Sequence, residues 1–86
     1  MYYVYVLRSE KDGGFYVGYT ADLQKRLELH DDGKVKSTKD RDPFRLVYYE
    51  ACTNQRDALH REKYLKTAYG KRYIKSRLRE YLNGCE

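Results

Sequence analysis

The sequence predicts a small α+β fold in which three strands form a sheet packed by helices, in the order β-β-α-β-α-α. Three observations support this prediction: two strand-like segments separated by Gly13-Gly14, a third apolar strand near the middle of the chain, and helical spacing of apolar residues elsewhere. With 86 residues and no internal repeat, we expect residues 1–86 to form a single small domain.

Alternating side chains predict the three strands. Residues 2–8 and 15–19 alternate around β-branched and aromatic residues on either side of the glycine pair, which is typical of an antiparallel hairpin. Residues 45–51 form the third predicted strand. Because successive side chains point to opposite faces, an odd-sum hairpin register would bring Tyr5 and Tyr16 onto the same face of the sheet.

The first predicted helix spans about residues 21–31, with Thr20 able to cap its start and Gly33 just past its end. Two leucines define its buried side, with a histidine between them and an arginine at the edge. These residues are Leu23, Leu27, His30 and Arg26.

Two more helices are predicted after the third strand. Thr53 or Asn54 can cap a helix from about residue 55 to residue 69, which Gly70 would stop. A last helix spans about residues 72–82 and places its apolar side chains on one side.

The net charge of +5 lies entirely in the second half of the chain. Residues 1–43 contain eight Lys or Arg and eight Asp or Glu, whereas residues 44–86 contain ten and five. Residues 32–43 are a basic, polar stretch that we expect to form a surface loop. An uneven basic surface suits a polyphosphate partner, because neutralised phosphates release counterions. The alternative is a solvated helix face that only keeps the protein soluble.

The two cysteines, Cys52 and Cys85, match neither a disulfide framework nor a zinc-binding spacing, which indicates a reducing, cytoplasmic environment. The N-terminus has no cationic region followed by a long apolar run, and no segment approaches the ~20 apolar residues of a membrane span. We therefore expect an unprocessed, soluble protein with no membrane partner.

Glu62 is the clearest anomaly in the sequence, because it falls on the apolar stripe of its predicted helix, where a carboxylate without a partner costs free energy. The stripe consists of Ala58, Glu62, Leu65 and Tyr69. A structural ion pair with Arg26 or Arg61, a stripe edge wet enough to solvate the carboxylate, or a bound metal ion would each satisfy Glu62.

Arg26 and His30 are spaced i, i+4 on one helix face, so they can act on one object. A guanidinium stabilises charge on a phosphoryl group, and a neutral imidazole can accept a proton near pH 7. The alternative for His30 is a histidine at a helix C-terminus, which the helix dipole favours.

Tyr5 and Tyr16 could be ordinary cross-strand aromatic packing or reactive phenols. Tyrosine has a reference pKa near ~10, so it is a poor base at neutral pH unless nearby cations lower its pKa. Arg26, a divalent metal and a basic surface would all act in that direction. Gly18, next but one to Tyr16, leaves room for a backbone or a phosphate to approach closely.

The ordered set of these residues resembles the GIY-YIG nuclease domain, and more narrowly the small stand-alone, UPF0213-like members of that superfamily. The resemblance covers nearly the whole chain, and its specificity comes from the order and spacing of motifs that are each weak alone. The main motifs are Tyr3-Val4-Tyr5, Tyr16-Val17-Gly18-Tyr19-Thr20, Leu23 with Arg26 and His30, and Arg61-Glu62-Lys63. Further matches are His30-Asp31-Asp32-Gly33, Thr38, Pro43, Leu46-Val47-Tyr48-Tyr49-Glu50 and Ala58-Leu59-His60-Arg61-Glu62.

The resemblance implies a three-stranded antiparallel sheet flanked by helices, and hydrolysis of a nucleic-acid phosphodiester with one divalent metal ion, Mg²⁺ or Mn²⁺. Matched position by position, it implies two signature tyrosines, a phosphate-stabilising arginine, an auxiliary helix residue and a metal-binding glutamate. These are Tyr5, Tyr16, Arg26, His30 and Glu62, in that order.

The resulting hypothesis is a metal-dependent endonuclease that cleaves DNA in a structure-directed or weakly sequence-specific way. The metal ion held by Glu62 polarises the scissile phosphate, a tyrosinate from Tyr5 or Tyr16 activates the attacking water, and Arg26 stabilises the pentacovalent oxyanion. The main alternative is a non-catalytic nucleic-acid-binding module that retains the fold, and a scaffold without a nucleic-acid role is the third possibility.

The chain departs from the family pattern in two places. Tyr3 stands where a glycine is usual, and the asparagine that often follows the metal-binding glutamate has only Asn83 as a candidate. Residues 1–86 have no counterpart of the separate DNA-binding domain that larger members carry, so we expect substrate choice to come from the surface of the domain or from a protein partner that supplies targeting.

One glycine and the polar residues of the loop and the last helices are candidates for contacts with the nucleic-acid backbone. Such contacts give affinity without base readout. The candidates are Gly18, Lys34, Lys36, Thr38, Lys39, Lys66, Lys71, Arg72, Lys75, Arg77 and Arg79.

Overall fold

A computed structural model describes residues 1–35 and 43–84 of the chain. The fold is α+β, a three-stranded antiparallel sheet with helices, as the sequence predicts. The strands are β1 (Tyr2–Ser9), β2 (Phe15–Thr20) and β3 (Phe44–Cys52). The helices are α1 (Leu23–Asp31), α2 (Gln55–Leu65), α3 (Ala68–Arg77) and α4 (Arg79–Leu82). The predicted contacts of Lys36, Thr38 and Lys39 lie outside the described residues, as does Cys85.

The first strand lies in the middle of the sheet, in the order β2-β1-β3. Its antiparallel register with β2 has an odd sum, so Tyr5 lies opposite Gly18 and Leu7 lies opposite Tyr16. Tyr5 is also opposite Tyr49 of β3. The predicted placement of Tyr5 and Tyr16 on one face of the sheet is therefore confirmed.

The two faces of the sheet have different roles. One face supplies valines to an apolar core with α2 and α3, and the opposite face carries Tyr5 and Leu7, which are also buried. The core residues are Val4, Val6, Val17, Ala58, Leu65 and Ile74. β1 is therefore covered on both faces, and Tyr5 contacts α1 through Arg26 and His30.

The first helix begins two residues later than the predicted start. The carboxylate of Asp22 accepts a hydrogen bond from the amide of Lys25 at 3.1 Å and caps α1. Thr20 instead accepts a hydrogen bond from the amide of Asp22 at 3.1 Å, which stabilises the turn before the helix. Asn54, one of the two caps predicted for α2, accepts hydrogen bonds from two amides of its first turn.

The predicted helix stop at Gly70 is wrong, because α2 ends at Leu65 and Gly70 lies inside α3. The hydroxyl of Thr67 accepts a hydrogen bond from the amide of Gly70 at 3.1 Å and starts α3. A Cβ at Gly70 would overlap the carbonyl oxygen of Tyr64 and the Cα of Leu65. The glycine is therefore required where α2 and α3 meet closely, not for a C-terminal cap.

Two further assignments differ from the prediction. The predicted last helix is divided into α3 and α4, with Leu78 as the cap residue between them. Tyr69 belongs to α3 and is 68% exposed, so its predicted position on the buried stripe of α2 is wrong.

Candidate active site

Tyr5 is the centre of the candidate site. Its side chain is fully buried, and its ring covers Gly18 on the neighbouring strand. A Cβ at Gly18 would overlap the phenol ring of Tyr5, so the glycine is needed to admit that ring. The space beside Gly18 is thus occupied by the protein itself, and a contact of Gly18 with nucleic acid stays a prediction.

The phenol oxygen of Tyr5 joins the two residues that the helix spacing pairs. It lies 2.9 Å from Nε2 of His30, and Nε of Arg26 donates to it at 3.3 Å. Both partners come from one face of α1, as their i, i+4 spacing predicts. One buried hydroxyl therefore orients the guanidinium and the imidazole together.

His30 is buried, with 1% of its surface exposed, although it lies in the last turn of α1. Its ring meets the rings of Tyr5 and Tyr16 edge-on, with centroid distances of 5.7 and 5.4 Å. This is a packed, hydrogen-bonded histidine of the site, not a solvated residue whose only partner is the helix dipole.

Tyr16 differs from Tyr5 in its access to solvent, because its side chain is only partly buried. Its ring centroid is 6.4 Å from that of Tyr5 and 6.5 Å from that of Phe44. Tyr16 also contributes a hydrogen bond to the environment of the Arg26 guanidinium. It is the tyrosine of the cluster that a water molecule or phosphate outside the protein can reach.

The electrostatics of the cluster differ from the sequence-based expectation for Tyr5. Burial raises the pKa of Tyr5, and the opposing hydrogen bond and charge of Arg26 do not offset it. The hydrogen bond with Tyr5 in turn raises the pKa of Arg26. Arg26 acts on the pKa of Tyr5 in the expected downward direction, but burial outweighs it, so the net pKa is raised and Tyr5 stays a neutral phenol at physiological pH.

Glu62 lies between Ala58 and Leu65 on the inward stripe of α2, as predicted. Its side chain is 21% exposed, and Nζ of Lys66 lies 3.1 Å from its Oε2. This cation, one turn along the same helix, is not among the partners expected from the sequence. The charge of Glu62 also contributes to raising the pKa of Tyr5, after the larger contributions of burial and of Tyr16.

A metal ion at this position would have few ligands from the protein. Within residues 1–35 and 43–84, no group of three or more His, Cys, Asp or Glu side chains could hold a metal ion. Mg²⁺ is commonly bound through one or two carboxylates, with waters and substrate phosphates completing its octahedron. The single carboxylate of Glu62 fits that mode. The residues that the structure describes supply too few ligands to surround a metal ion with protein atoms alone. Asn83, the candidate for the family's asparagine, is an exposed residue at the end of α4.

A second carboxylate site, between β3 and α2, was missed by the sequence analysis. Nε and Nη2 of Arg61 each donate to a different oxygen of Glu50 at 2.9 Å, and the hydroxyl of Tyr48 donates to Glu50 at 2.8 Å. The guanidinium of Arg61 also lies over the ring of Tyr73, 4.7 Å from its centroid. Strand alternation could have revealed the acid, because Tyr48 and Glu50 must share one face of β3.

The basic residues predicted to contact nucleic acid are exposed wherever the structure describes them. They are Lys34, Lys66, Lys71, Arg72, Lys75, Arg77 and Arg79. Arg72 lies over the ring of Tyr69, 4.8 Å from its centroid, and Arg79 has an ion pair with Glu80 at 3.6 Å. Within residues 1–35 and 43–84, no helix is long and apolar enough to cross a membrane.

Comparisons with known proteins agree with this arrangement. The model of the GIY-YIG catalytic domain matches residues 1–75. A UPF0213 protein of Bacillus licheniformis is 43% identical over 83 residues, covering 92% of this chain and 84% of that protein. A UPF0213 protein of Clostridium perfringens is 45% identical over 67 residues, covering 77% of this chain and 71% of that protein.

A solved structure extends the comparison to the fold. The solution NMR structure of the UPF0213 protein BH0048 from Bacillus halodurans has a TM-score of 0.56 and 38% sequence identity. The match covers 88% of this chain and 84% of that one. With the family match over most of its length, the chain belongs to the GIY-YIG family, among relatives that carry the UPF0213 name.

Proposed function

We propose that the protein is a divalent-metal-dependent endonuclease that hydrolyses phosphodiester bonds of DNA. The observation that carries the proposal is the hydrogen-bonded cluster in which the Tyr5 hydroxyl joins Arg26 and His30. A structural role alone does not require a guanidinium and an imidazole to be oriented by the same buried hydroxyl, beside a partly exposed tyrosine.

The residues of the cluster suit different tasks. Arg26 keeps its charge at all working pH values, because its hydrogen bond with Tyr5 raises its pKa further. It is held by that hydroxyl, so its guanidinium can bind the phosphate and stabilise the charge that develops on it. Tyr5 itself is buried and neutral, and we assign it the orientation of Arg26 and His30.

Tyr16 is the better candidate for contact with the attacking water, because its ring is partly exposed beside the same guanidinium. A divalent cation bound at Glu62 would supply Lewis-acid polarisation of the scissile phosphate. We assign Tyr16, which must lose its phenolic proton to solvent before attack, the acceptance of the water proton; this transfer converts the tyrosinate back to the neutral phenol. We assign His30, through its contacts with both tyrosines, the orientation of their rings.

A second candidate function is a nucleic-acid-binding module without turnover. One observation favours it: the only carboxylate assigned to the metal is already paired with Lys66 at 3.1 Å. Such a module would keep the fold and the exposed basic residues but would not cleave. A protein partner that directs this protein to its nucleic acid is compatible with both the nuclease and the binding module.

The test is incubation of the purified protein with Mg²⁺ or Mn²⁺ and a panel of supercoiled, linear, branched and single-stranded DNA. We expect metal-dependent cleavage of at least one substrate, reduced by about 10²-fold or more in Glu62→Ala and in Tyr16→Phe. Glu28→Ala and Tyr69→Phe are matched controls, because both side chains are exposed and neither belongs to the tyrosine cluster or to the assigned metal position.

Absence of cleavage on every substrate, together with salt-sensitive DNA binding, would favour the module over the nuclease. Cleavage that survives Glu62→Ala would rule out the assigned metal position. Cleavage that survives Tyr16→Phe would remove that tyrosine from the reaction.

A further inference from the structure

The flank of α2 that carries Glu62 also carries Lys66, and both residues line one groove. A groove of about 410 Å³ is lined there by Leu59, His60, Glu62, Lys63 and Lys66. Lys66 forms the ion pair with Glu62 from inside this groove. The carboxylate assigned to the metal and the cation that neutralises it therefore face the same accessible space.

The geometry of this pair favours exchange. It is a single contact of 3.1 Å between residues one helical turn apart, and the Lys66 side chain is 54% exposed. Exposed i, i+4 pairs stabilise helices only slightly, since water and salt compete with them. A lysine ammonium also has three rotatable donors on a flexible stem, so it can change partner without moving the backbone.

The competition between the two cations has a direct physical cause. A divalent cation and an ammonium compete for the same carboxylate oxygen, because their charges repel at that distance. Lys66 contacts Oε2 of Glu62, whose side chain is 21% exposed. A metal ion that binds at this oxygen therefore displaces Lys66, and the lysine ammonium then faces the groove without the Glu62 carboxylate.

We propose that Lys66 is a positioning residue that exchanges partners: it neutralises Glu62 in the metal-free protein and binds a backbone phosphate of the nucleic acid when a divalent cation takes the carboxylate. This inference rests on the proposed function and adds a mechanism by which substrate and metal assist each other. A phosphate that attracts Lys66 frees Glu62 for the metal, and by linkage the metal frees Lys66 for the phosphate.

The exchange can be observed directly by NMR of the lysine ammonium groups during a titration with Mg²⁺ alone. The Nζ signal of Lys66 should shift over the same Mg²⁺ concentrations that shift the backbone amide of Glu62. The Nζ signal of Lys63, which lines the same groove, should shift less. In Glu62→Gln the Lys66 signal should start close to its displaced position and should not respond to Mg²⁺.

A second measurement tests the competition by affinity. Lys66→Met should lower the Mg²⁺ concentration for half-saturation of the Glu62 amide shift by about two- to fivefold, as expected for loss of one exposed ion pair. Lys63→Met removes the same charge from the same groove and should have a smaller effect. Lys66→Arg keeps the charge and can hold the carboxylate through two donors, so it should not tighten Mg²⁺ binding.

The phosphate half of the exchange is tested with a short DNA duplex in the presence of EDTA. The duplex should shift the Lys66 Nζ signal, since backbone phosphates compete with Glu62 for the ammonium. If Mg²⁺ shifts the Glu62 amide while the Lys66 signal stays in place, or if the duplex leaves Lys66 unchanged, the exchange is wrong and the metal site stands. If Mg²⁺ shifts neither residue, the metal site at Glu62 is wrong, and the exchange fails with it.

Discussion

Two adjacent residues of α2 take part in carboxylate–cation pairs of very different construction. Arg61 reaches across to Glu50 of β3 with two hydrogen bonds of 2.9 Å, on one flank of the helix. Glu62 pairs with Lys66 through one contact of 3.1 Å, within a single turn of the same helix. The first pair links two elements that are distant in sequence, whereas the second links only neighbours on one helix.

The surroundings of the two pairs differ in the same direction. Side-chain exposure is 30% for Arg61 and 21% for Glu50, and both Tyr48 and Tyr73 hold the pair in place. Lys66 is 54% exposed and has no comparable support in the described part of the chain. A carboxylate on the inward side of a helix or strand therefore does not by itself indicate a structural or a functional role. The number of groups that hold the paired cation in place distinguishes a fixed ion pair from an exchangeable one.

The largest loss of stability should come from a change at Gly70, where α3 packs closely against the end of α2, the helix that carries Arg61 and Glu62. Gly70→Ala adds a Cβ that overlaps backbone atoms of Tyr64 and Leu65, so side-chain rearrangement cannot relieve it. We expect the free energy of unfolding to fall by about 2–3 kcal/mol, despite the better helix propensity of alanine. Urea denaturation measures it, with Ser76→Ala on the exposed side of α3 as control. An unchanged free energy of unfolding would mean that α2 and α3 can move apart at Gly70 without loss, so α2 would not hold the two ion pairs in fixed positions.

Breaking the fixed pair should have the next largest effect. In Arg61→Met the partly buried Glu50 keeps Tyr48 as its only hydrogen-bond donor among the residues that the structure describes. We expect a loss of about 1–2 kcal/mol in the free energy of unfolding, because hydrogen bonds to charged groups are among the stronger ones. Equilibrium urea unfolding at neutral pH checks this. A loss no greater than that of Lys66→Met would erase the distinction between the two pairs.

The two ion pairs should also differ in how they make stability depend on pH. Burial alone would raise the pKa of Glu50, but the hydrogen bonds from Arg61 and Tyr48 outweigh it, and the net effect is a lowered pKa. The folded state therefore binds this proton less readily than the unfolded state. The stabilisation is fully present above the unfolded carboxyl pKa of about 4.3 and is lost as the pH falls through the lowered folded pKa.

Thermal unfolding as a function of pH tests this sign. Arg61→Met should flatten the acid limb of the stability profile below about pH 4.3, whereas Lys66→Met should leave it nearly parallel to that of the unsubstituted protein. Equal acid limbs for the unsubstituted protein and Arg61→Met would show that Glu50 does not carry the effect.

The smallest effect on stability belongs to the exchangeable pair. Lys66→Met should change the free energy of unfolding by no more than about 0.5 kcal/mol, as for other exposed i, i+4 pairs. The same urea measurement at low and high salt checks it, and the small difference should shrink further as salt is added. A loss of 1 kcal/mol or more would make Lys66 a structural residue and remove the basis for its exchange.

Much of the tyrosine cluster could be predicted from the sequence because it depends on short repeats. Alternation along β1 and β2 places Tyr5 and Tyr16 on one face, and the i, i+4 spacing directs Arg26 and His30 to one object. The roles of these residues in catalysis stay predictions, as does the single-domain organisation of residues 1–86.

The order of the three strands, the faces shared along β1, β2 and α1, and the family could therefore be read from the residues alone, because backbone periodicity is a local property that needs no partner element. Three features required the packed fold: the packing role of Gly70, the pairing of Arg61 with Glu50, and the burial that outweighs Arg26 and raises the pKa of Tyr5. Each of these depends on how closely two elements approach in space. That distance is set by the packing of the whole core, and no local pattern encodes it.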